Sequence, residues 1–448
     1  MGYRAYPQYR DSGVEWLGKV PADWKIRRLK FASNLVNEKV DAQSCTLDYL
    51  GLEHIESWTG KRIADESAAS EGIASRFTPG DILFGKLRPY LAKVLLAEAP
   101  GVATTEALVV RPDNQVLASF LKYYMLSRDF IDVVNGSTYG SKMPRANWEF
   151  IGNLSLLIPS IKEQQAISRF LDKKAAQIDR LIEKKQALLE KLEEQRMAAI
   201  TQAVTKGLKG NIPLQDSGNA WLDKIPAHWH LSRFKDLVKE AIAGPYGSSL
   251  TKSMYTSSGY RVYGQQQVIP ENFEIGDYYI DEEKFKEMQR YATSPGDILI
   301  SVMGTIGRAA LVPLDAEPGI INPRLVLYRA DETQVLPEYL KAVVNSRPSQ
   351  SYFYLVAQGT TMEGINMGLI GNLAVALPPL AEQQEILDAL KRETARIGRM
   401  THRVNAAIDR LQEYRTALIT AAVTGQIDVR DWQAPAATPV PATDMEVA

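Results

Sequence analysis

"IPSIKEQQAISRFLDKK" (158–174) and "LPPLAEQQEILDALKRE" (377–393) share one frame: a proline, Glu-Gln-Gln, then Ile and Leu at helical spacing, displaced by 219 positions. Each opens a long amphipathic pattern. Across 161–206, Ile167, Leu171, Ile178, Leu181, Ile182, Leu189, Leu192, Ile200 and Ala203 recur at three- and four-residue steps, with no Pro or Gly inside. Ser160-x-x-Glu163 fits a capping box and Gly207 a C-terminal stop. The second copy, 381–424, carries Ile386, Leu390, Ile397, Met400, Val404, Leu411 and Leu418 on the same period and stops at Gly425. There Leu380 replaces the capping serine, so the box is lost, and Gly398 interrupts the interior; that end is expected to be weaker. About 45 residues at 1.5 Å each predict rods of roughly 65 Å. One small domain cannot cover so long an apolar stripe, and two such rods most economically cover each other as a coiled coil. The alternative is that each helix packs back on its own domain.

The whole chain is written twice. WLGKVPADW (16–24) returns as WLDKIPAHW (221–229), PGDIL (79–83) as PGDIL (295–299), and IGNL (151–154) as IGNL (370–373), in the same order. The offsets are 205, 216 and 219, and R-x-A-x-I-T-x-A-V-T runs from Arg196 to Thr205 and from Arg415 to Thr424. Offset grows only between the Trp-flanked opening and the IGNL block, so each half is a similar frame around different contents. Two copies of this size make a duplicated domain pair rather than a solenoid. The boundaries read as a domain at 1–158, a long helix at 159–210, a domain at 211–377, a long helix at 378–426 and a tail at 427–448. DILFG (81–85), ALVV (107–110), DILISVM (297–303) and LVLY (325–328) read as strands, and SFLKYYMLSRDFIDVV and EYLKAVVNSRPSQSYFYLV as helical, so both domains are expected to be mixed α/β.

Composition excludes several classes. With 448 residues, 45% hydrophobic and 23% charged, the chain suits a soluble protein of two or three domains. No apolar run is long enough to span a membrane, and MGYRAYPQYRDSG lacks a secretory apolar core, which points to the cytoplasm. A single cysteine, Cys45, forbids an internal disulfide, and His54, His228, His230 and His402 form no zinc-ligand spacing; His228 and His230 read as structural. Net charge is −1, so a nucleic acid would have to be held by local cation clusters. Lys+Arg and Asp+Glu number 11 and 7 in 161–210 but 14 and 18 in 211–380, leaving the second domain dependent on specific contacts or basic partners.

Catalytic signatures are missing. Gly80-x-x-x-x-Gly85-Lys86 mimics a phosphate loop, but Leu87 stands where Ser or Thr must meet magnesium, and the glycines flank a strand. No dinucleotide fingerprint, nucleophile elbow, deaminase motif or amino-methyltransferase tetrapeptide is present; Asn322-Pro323-Arg324 lacks the second proline and the aromatic.

The paired opening motifs, PGDIL and IGNL blocks, Glu-Gln-Gln segments and terminal R-x-A-x-I-T-x-A-V-T motifs together resemble the specificity subunits of type I restriction-modification systems, over about residues 10–430. The resemblance implies an α/β protein. Two mixed α/β target recognition domains would be separated by a long antiparallel two-helix coiled coil with pseudo-two-fold duplication. Each domain would read one part of a split double-stranded DNA target. The chain itself would be non-catalytic and free of cofactors. Two methyltransferase subunits using S-adenosylmethionine, and restriction subunits using ATP and magnesium, would supply the chemistry.

Candidate DNA contacts follow from loop chemistry. In the first half GKLRPYLAK (85–93) offers Lys86, Arg88, Tyr90 and Lys93, and GSKMPR (140–145) offers Ser141, Lys142 and Arg145. In the second, GPYGSSL, YGQQQV and GTIGR supply Tyr246, Ser248, Gln265, Gln266, Gln267 and Arg308, and Thr360 occupies the frame position of Ser141. Glutamine pairs bidentately with adenine and arginine with guanine; the plain alternative for each is a solvated surface group. Glu163, Gln164, Gln165 and Glu382, Gln383, Gln384 are candidates for equivalent partner docking, with helix capping as the alternative. A stand-alone DNA reader and a duplicated coiled-coil scaffold are the competing functions.

Overall fold

A computed structural model describes residues 3–63, 72–140, 142–358 and 364–433. The chain divides into two compact units, Met1–Gln186 with Asn405–Ala448, and Ala187–Val404. Two helices, Ile161–Lys206 and Leu380–Val423, each contribute to both units.

In the first unit one sheet orders strands Ser33–Val36, Ala107–Pro112, Ile82–Gly85 and Val94–Leu96, all neighbours antiparallel. A second orders Lys39–Asp41, Ile73–Phe77, Gly101–Thr104 and Tyr49–Leu50, the last pair parallel. Helices Ala118–Met125 and Arg128–Gly136 follow. Strand Ser155–Ile158 then pairs with Lys25–Arg28 and leads into the first long helix. The second unit repeats the frame: Val238–Ala243, Leu325–Ala330, Ile298–Ser301 and Ala309–Leu311 form one sheet, and Tyr260–Tyr263 and Gly319–Ile321 form the parallel pair of another. Helices Pro337–Val344 and Arg347–Gln358 and the pair His230–Arg233 with Ala374–Leu377 complete it.

The repeated motifs are the joints of this frame. The PGDIL aspartates are buried before their strand and bind an arginine on the neighbouring one: Arg111 Nε and Nη2 each donate to Asp81 at 2.7 Å, and Arg329 donates to Asp297 at 3.1 and 3.4 Å. Burial raises both carboxyl pKa values. At Asp81 the short bonds from Arg111 and the Thr78 N–H outweigh burial and hold it below the usual range, whereas at Asp297 burial wins and leaves it above. The IGNL blocks end short helices capped by Asn147 and Asn366, each accepting from the N–H three residues on. A Cβ at Gly152 or Gly371 would come within 3.3 or 3.2 Å of the Lys30 or Lys235 Cβ, so only glycine lets these segments approach so closely.

Both long helices cover each other and also root in the domains. The core of the first unit gathers Phe120, Tyr124 and Phe130 with Ile167, Phe170 and Leu171 of the first long helix and Leu418, Ile419, Ala422 and Val423 of the second. Tyr339, Leu340 and Val344 of the second unit pack with Ile386 and Leu390, and with Ala203 and Val204 from the far end of the other helix. Each domain is thus gripped by the first turns of one helix and the last turns of the other, an antiparallel pairing. Each fully buried Ile, Leu or Phe at these roots contributes about 1.5–3 kcal/mol. Leu181 is 49% exposed, contrary to the periodic reading, because its neighbour Ile182 takes the seam position.

Helix ends follow their local signals. Ser160 and Glu163 form the reciprocal cap, with Glu163 N–H donating to Ser160 Oγ at 3.3 Å and Ser160 N–H to Glu163 Oε2 at 3.2 Å. Gly207 and Gly425 adopt φ of +73° and +75°, the left-handed stop. The phosphate-loop mimic is a strand, Ile82–Gly85. Residues 427–433, grouped by sequence with the tail, pack instead on the first unit: Val429 is buried and Trp432 meets the Phe170 ring edge-on.

Gly398 sits exposed in a helix interior with open space around its Cβ position. Gly398→Ala is expected to stabilise the second unit by about 0.5–1 kcal/mol, measured as a raised urea midpoint. A lowered midpoint would mean that the helix needs glycine there.

Candidate nucleic-acid interface

The two units carry one loop frame with different side chains. In the first, Lys86 N–H donates to Glu106 O (2.9 Å) and Ala146 N–H to Lys86 O (2.9 Å), while Leu87 bridges Arg145. In the second, Val302 N–H donates to Arg324 O (3.0 Å) and Ile365 N–H to Val302 O (2.9 Å), while Met303 bridges Gly364. Lys86 and Glu106 in one half therefore correspond to Val302 and Arg324 in the other. Backbone is kept and charge is exchanged.

In the first unit the two predicted loops do come together. Arg88 N–H donates to Pro144 O at 2.7 Å, placing Lys86, Arg88 and Tyr90 beside Tyr139, Lys142 and Arg145. Arg88, Lys142 and Tyr90 are exposed, Tyr90 by 46% and Tyr139 by 61%. Arg88 and Ala92 adopt left-handed φ of +51° and +46° at either end of the Pro89–Leu91 turn, a cost of about 1–3 kcal/mol each that tends to gather at functional loops. Arg145 is partly neutralised by Glu106, with Nε 3.1 Å from Oε2. Lys93 turns inward, its Nζ donating to Leu52 O at 2.5 Å, and burial lowers its pKa. Ser141 lies outside the described residues. Lys39, not singled out by sequence, is exposed with its Nζ donating to Ser75 Oγ at 2.7 Å, and burial and the charge of Lys86 lower its pKa.

In the second unit the glutamine run splits by role. Gln267 is fully buried, accepting from Gly264 N–H (2.8 Å) and donating to Ile275 O (2.9 Å). Gln265 donates to the Met303 and Thr305 carbonyls, tying two loops together, and Gln266 is exposed. Tyr246 is 79% exposed and Ser248 is also exposed. Arg308 is half-buried in a cavity with Arg196 and Lys341 rather than at a loop tip. Thr360 lies outside the described residues. The sequence reading missed Arg324, exposed between these loops; its signal was its place in the repeated frame, where it corresponds to Glu106 of the first copy.

The sequence model described as "Type I restriction modification DNA specificity domain" matches residues 21–193 and 232–410, once on each copy. The chain belongs to this type I specificity family. It is 21% identical over 438 residues to the EcoKI specificity subunit of Escherichia coli K12, covering 93% of this chain and 92% of that one. Similarity to the StySPI specificity subunit of Salmonella potsdam is 22% over 447 residues, with the same shares. The EcoDI specificity subunit of E. coli is 26% identical over 165 residues, 35% of this chain and 36% of that protein. A chain solved in work on complex assembly and conformational transition of the type I R-M system shares the fold, with TM-score 0.64 at 19% identity over 90% of this chain and 98% of that one.

Within this specificity-family chain the Glu-Gln-Gln segments have internal partners. Gln164 is fully buried: its Oε1 accepts from Leu117 N–H (2.7 Å) and its Nε2 donates to Gln115 O (2.9 Å) and Pro159 O (3.0 Å). Gln383 repeats this with Leu336 N–H (2.9 Å), Gln334 O (3.1 Å) and Pro378 O (2.9 Å). Glu163 and Glu382 accept from the indole N–H of Trp24 (3.3 Å) and Trp229 (3.1 Å), and Glu382 also meets His228 Nε2 at 2.8 Å. Only Gln165 and Gln384 of the two triplets are exposed.

Gln164→Leu would leave one N–H and two carbonyls without their partner. The expected loss is about 1–3 kcal/mol of stability, read from denaturant unfolding of the first unit. A cost within about 0.5 kcal/mol, the level of an ordinary surface change, would show that the amide does not hold the joint.

Proposed function

We propose that the chain is the DNA-reading subunit of a type I restriction-modification complex, with each recognition domain testing one part of an asymmetric, gapped duplex target. The observation that carries this reading is the conserved loop frame bearing exchanged side chains: Lys86 and Glu106 against Val302 and Arg324. A duplex displays sequence as donor and acceptor patterns in its major groove, so identical scaffolds with different loop chemistry select different base patches. In the first domain Lys86, Arg88, Lys142 and Lys39 meet phosphates, and Tyr90 and Tyr139 pack on the sugar-phosphate edge. In the second, Arg324, Gln266, Tyr246 and Ser248 are the loop groups free to reach base edges. Gln267 and Lys93 act inside their domains.

The chain's part is recognition without chemistry of its own. Two methyltransferase subunits carrying S-adenosylmethionine, and restriction subunits using ATP and magnesium, would act in the same cytoplasmic complex. Pseudo-two-fold duplication offers the two methyltransferases equivalent docking places, with exposed Gln165 and Gln384 at the two helix roots as contacts. Among the described residues no helix is long and apolar enough to cross a membrane, and no cluster of His, Cys, Asp and Glu could hold a metal.

Two outcomes test this reading. Exchanging residues 211–377 for those of a relative, in complex with the methyltransferase partner, changes one half of the methylated target and leaves the other; altered methylation in both halves contradicts independent readers. Arg324→Ala costs about 1–3 kcal/mol of discrimination at one base pair of the second half-site, read from the ranked methylation of single-base variants. Uniform weakening across all variants would make Arg324 a phosphate contact instead.

A further inference from the structure

The seams where each recognition domain meets the long helices use equivalent positions with different chemistry. In the first unit Ser119 Oγ donates to Ser168 Oγ at 3.1 Å, the Tyr123 hydroxyl donates to Asp172 at 2.6 Å, and Lys122 Nζ lies 3.6 Å from the same carboxylate. Farther along, Arg415 is 5% exposed, its Nε donating to Asp179 Oδ1 at 2.9 Å. Its two Nη atoms donate to the carbonyls of Trp58 (2.7 Å) and Thr59 (2.9 Å), and Lys61 Nζ sits 2.9 Å from Asp179 Oδ2. One guanidinium thus joins a buried carboxylate on the other helix to the backbone of a recognition-domain loop.

At the positions related by the 219-residue offset, none of these pairs survives. Ser119 and Ser168 become Glu338 and Leu387, Tyr123 and Asp172 become Ala342 and Lys391, and Asp179 and Arg415 become Gly398 and Arg196. Arg196 turns to Glu193 on its own helix at 3.8 Å. Cavity volume does not distinguish the seams: about 850 Å³ lies beside Arg196, Lys341, Ala342 and Lys391 at the second, and about 820 Å³ beside Trp58, Asp179 and Arg415 with a further 350 Å³ beside Lys122, Tyr123 and Asp172 at the first, so the difference is in the polar pairs.

We propose that Arg415 with Asp179, and Tyr123 with Asp172, are positioning pairs that lock the first recognition domain onto the long helices, and that the second domain, lacking both, is the compliant reader that absorbs variation in spacing between the half-sites. The spacing clause rests on the DNA-reading function above; the locking clause does not. A buried charge pair resists opening, because removing one member strands the other in low dielectric. A seam without such a pair opens at lower cost, and local opening of this kind is what amide exchange measures.

Hydrogen exchange on the full chain separates the two seams. Wild-type protein should exchange the amides of 337–344 at least about tenfold faster than those of 118–125. Arg415→Gln accelerates 56–63 and 118–125 by a similar factor and leaves 260–275 unchanged, with Arg415→Lys intermediate because it keeps the charge but loses the carbonyl bonds. The pair Ala342→Tyr with Lys391→Asp transplants a lock and slows 337–344. Equal protection of the two seams in wild type, or no acceleration in Arg415→Gln, overturns the locking assignment. In complex with the methyltransferase, on duplexes whose spacer is lengthened or shortened by one base pair, Arg415→Gln should widen the tolerated range and the transplanted pair should narrow it. An unchanged range with altered exchange overturns the spacing clause alone, and absence of any DNA methylation by wild-type complex refutes the proposed function instead.

Discussion

Full burial of a primary amide is tolerable only when its donors and acceptor are paired, and Gln164 and Gln383 meet that condition at the root of each long helix. Each amide accepts from the N–H that opens a domain helix and donates to carbonyls on two separate segments. A Glu one residue earlier holds the indole of the opening motif, so strand, helix and domain meet at one polar joint. Because every group there is satisfied by another part of the same unit, the angle at which the chain leaves the domain and enters the helix is set. The apolar grip of Ile167, Phe170 and Leu171, or of Ile386 and Leu390, then has a fixed surface to close on.

The rest of the frame multiplies this joint by two. PGDIL places a buried aspartate under an arginine of the neighbouring strand, and IGNL lets a capped turn approach the Cβ of a lysine. These are constraints on backbone course that leave the loop tips unconstrained. That division explains how one scaffold carries Lys86 and Glu106 in one copy and Val302 and Arg324 in the other without changing the hydrogen bonds beneath. The same division reaches the seams, where the first copy ties domain to helix through Tyr123 with Asp172 and Arg415 with Asp179, and the second has neither pair.

Much of this was legible beforehand. Helix period, capping Ser160 and stopping glycines act locally, so Ile161–Lys206 and Leu380–Val423 could be read from spacing alone, and the repeated motifs announced the duplication. Side-chain direction could not be read in the same way. Gln265, Gln266 and Gln267 are adjacent and chemically identical, yet one ties loops, one is exposed and one is buried, because a short helix distributes successive residues around its axis. Lys93 looked like Lys86 on paper, but strand pairing points it at Leu52 O. Arg324 was passed over because its significance lies in register with Glu106, 218 residues earlier in a half where the loop lengths differ.

Two dissimilar readers on one duplicated frame imply a split methylation motif. Mapping N6-methyladenine across the genome of cells expressing the wild-type chain with its methyltransferase partner tests it most directly. A single non-palindromic motif made of two unlike specific patches around a stretch of unspecified bases is expected. A continuous motif, a palindrome, or methylation independent of this chain would contradict it.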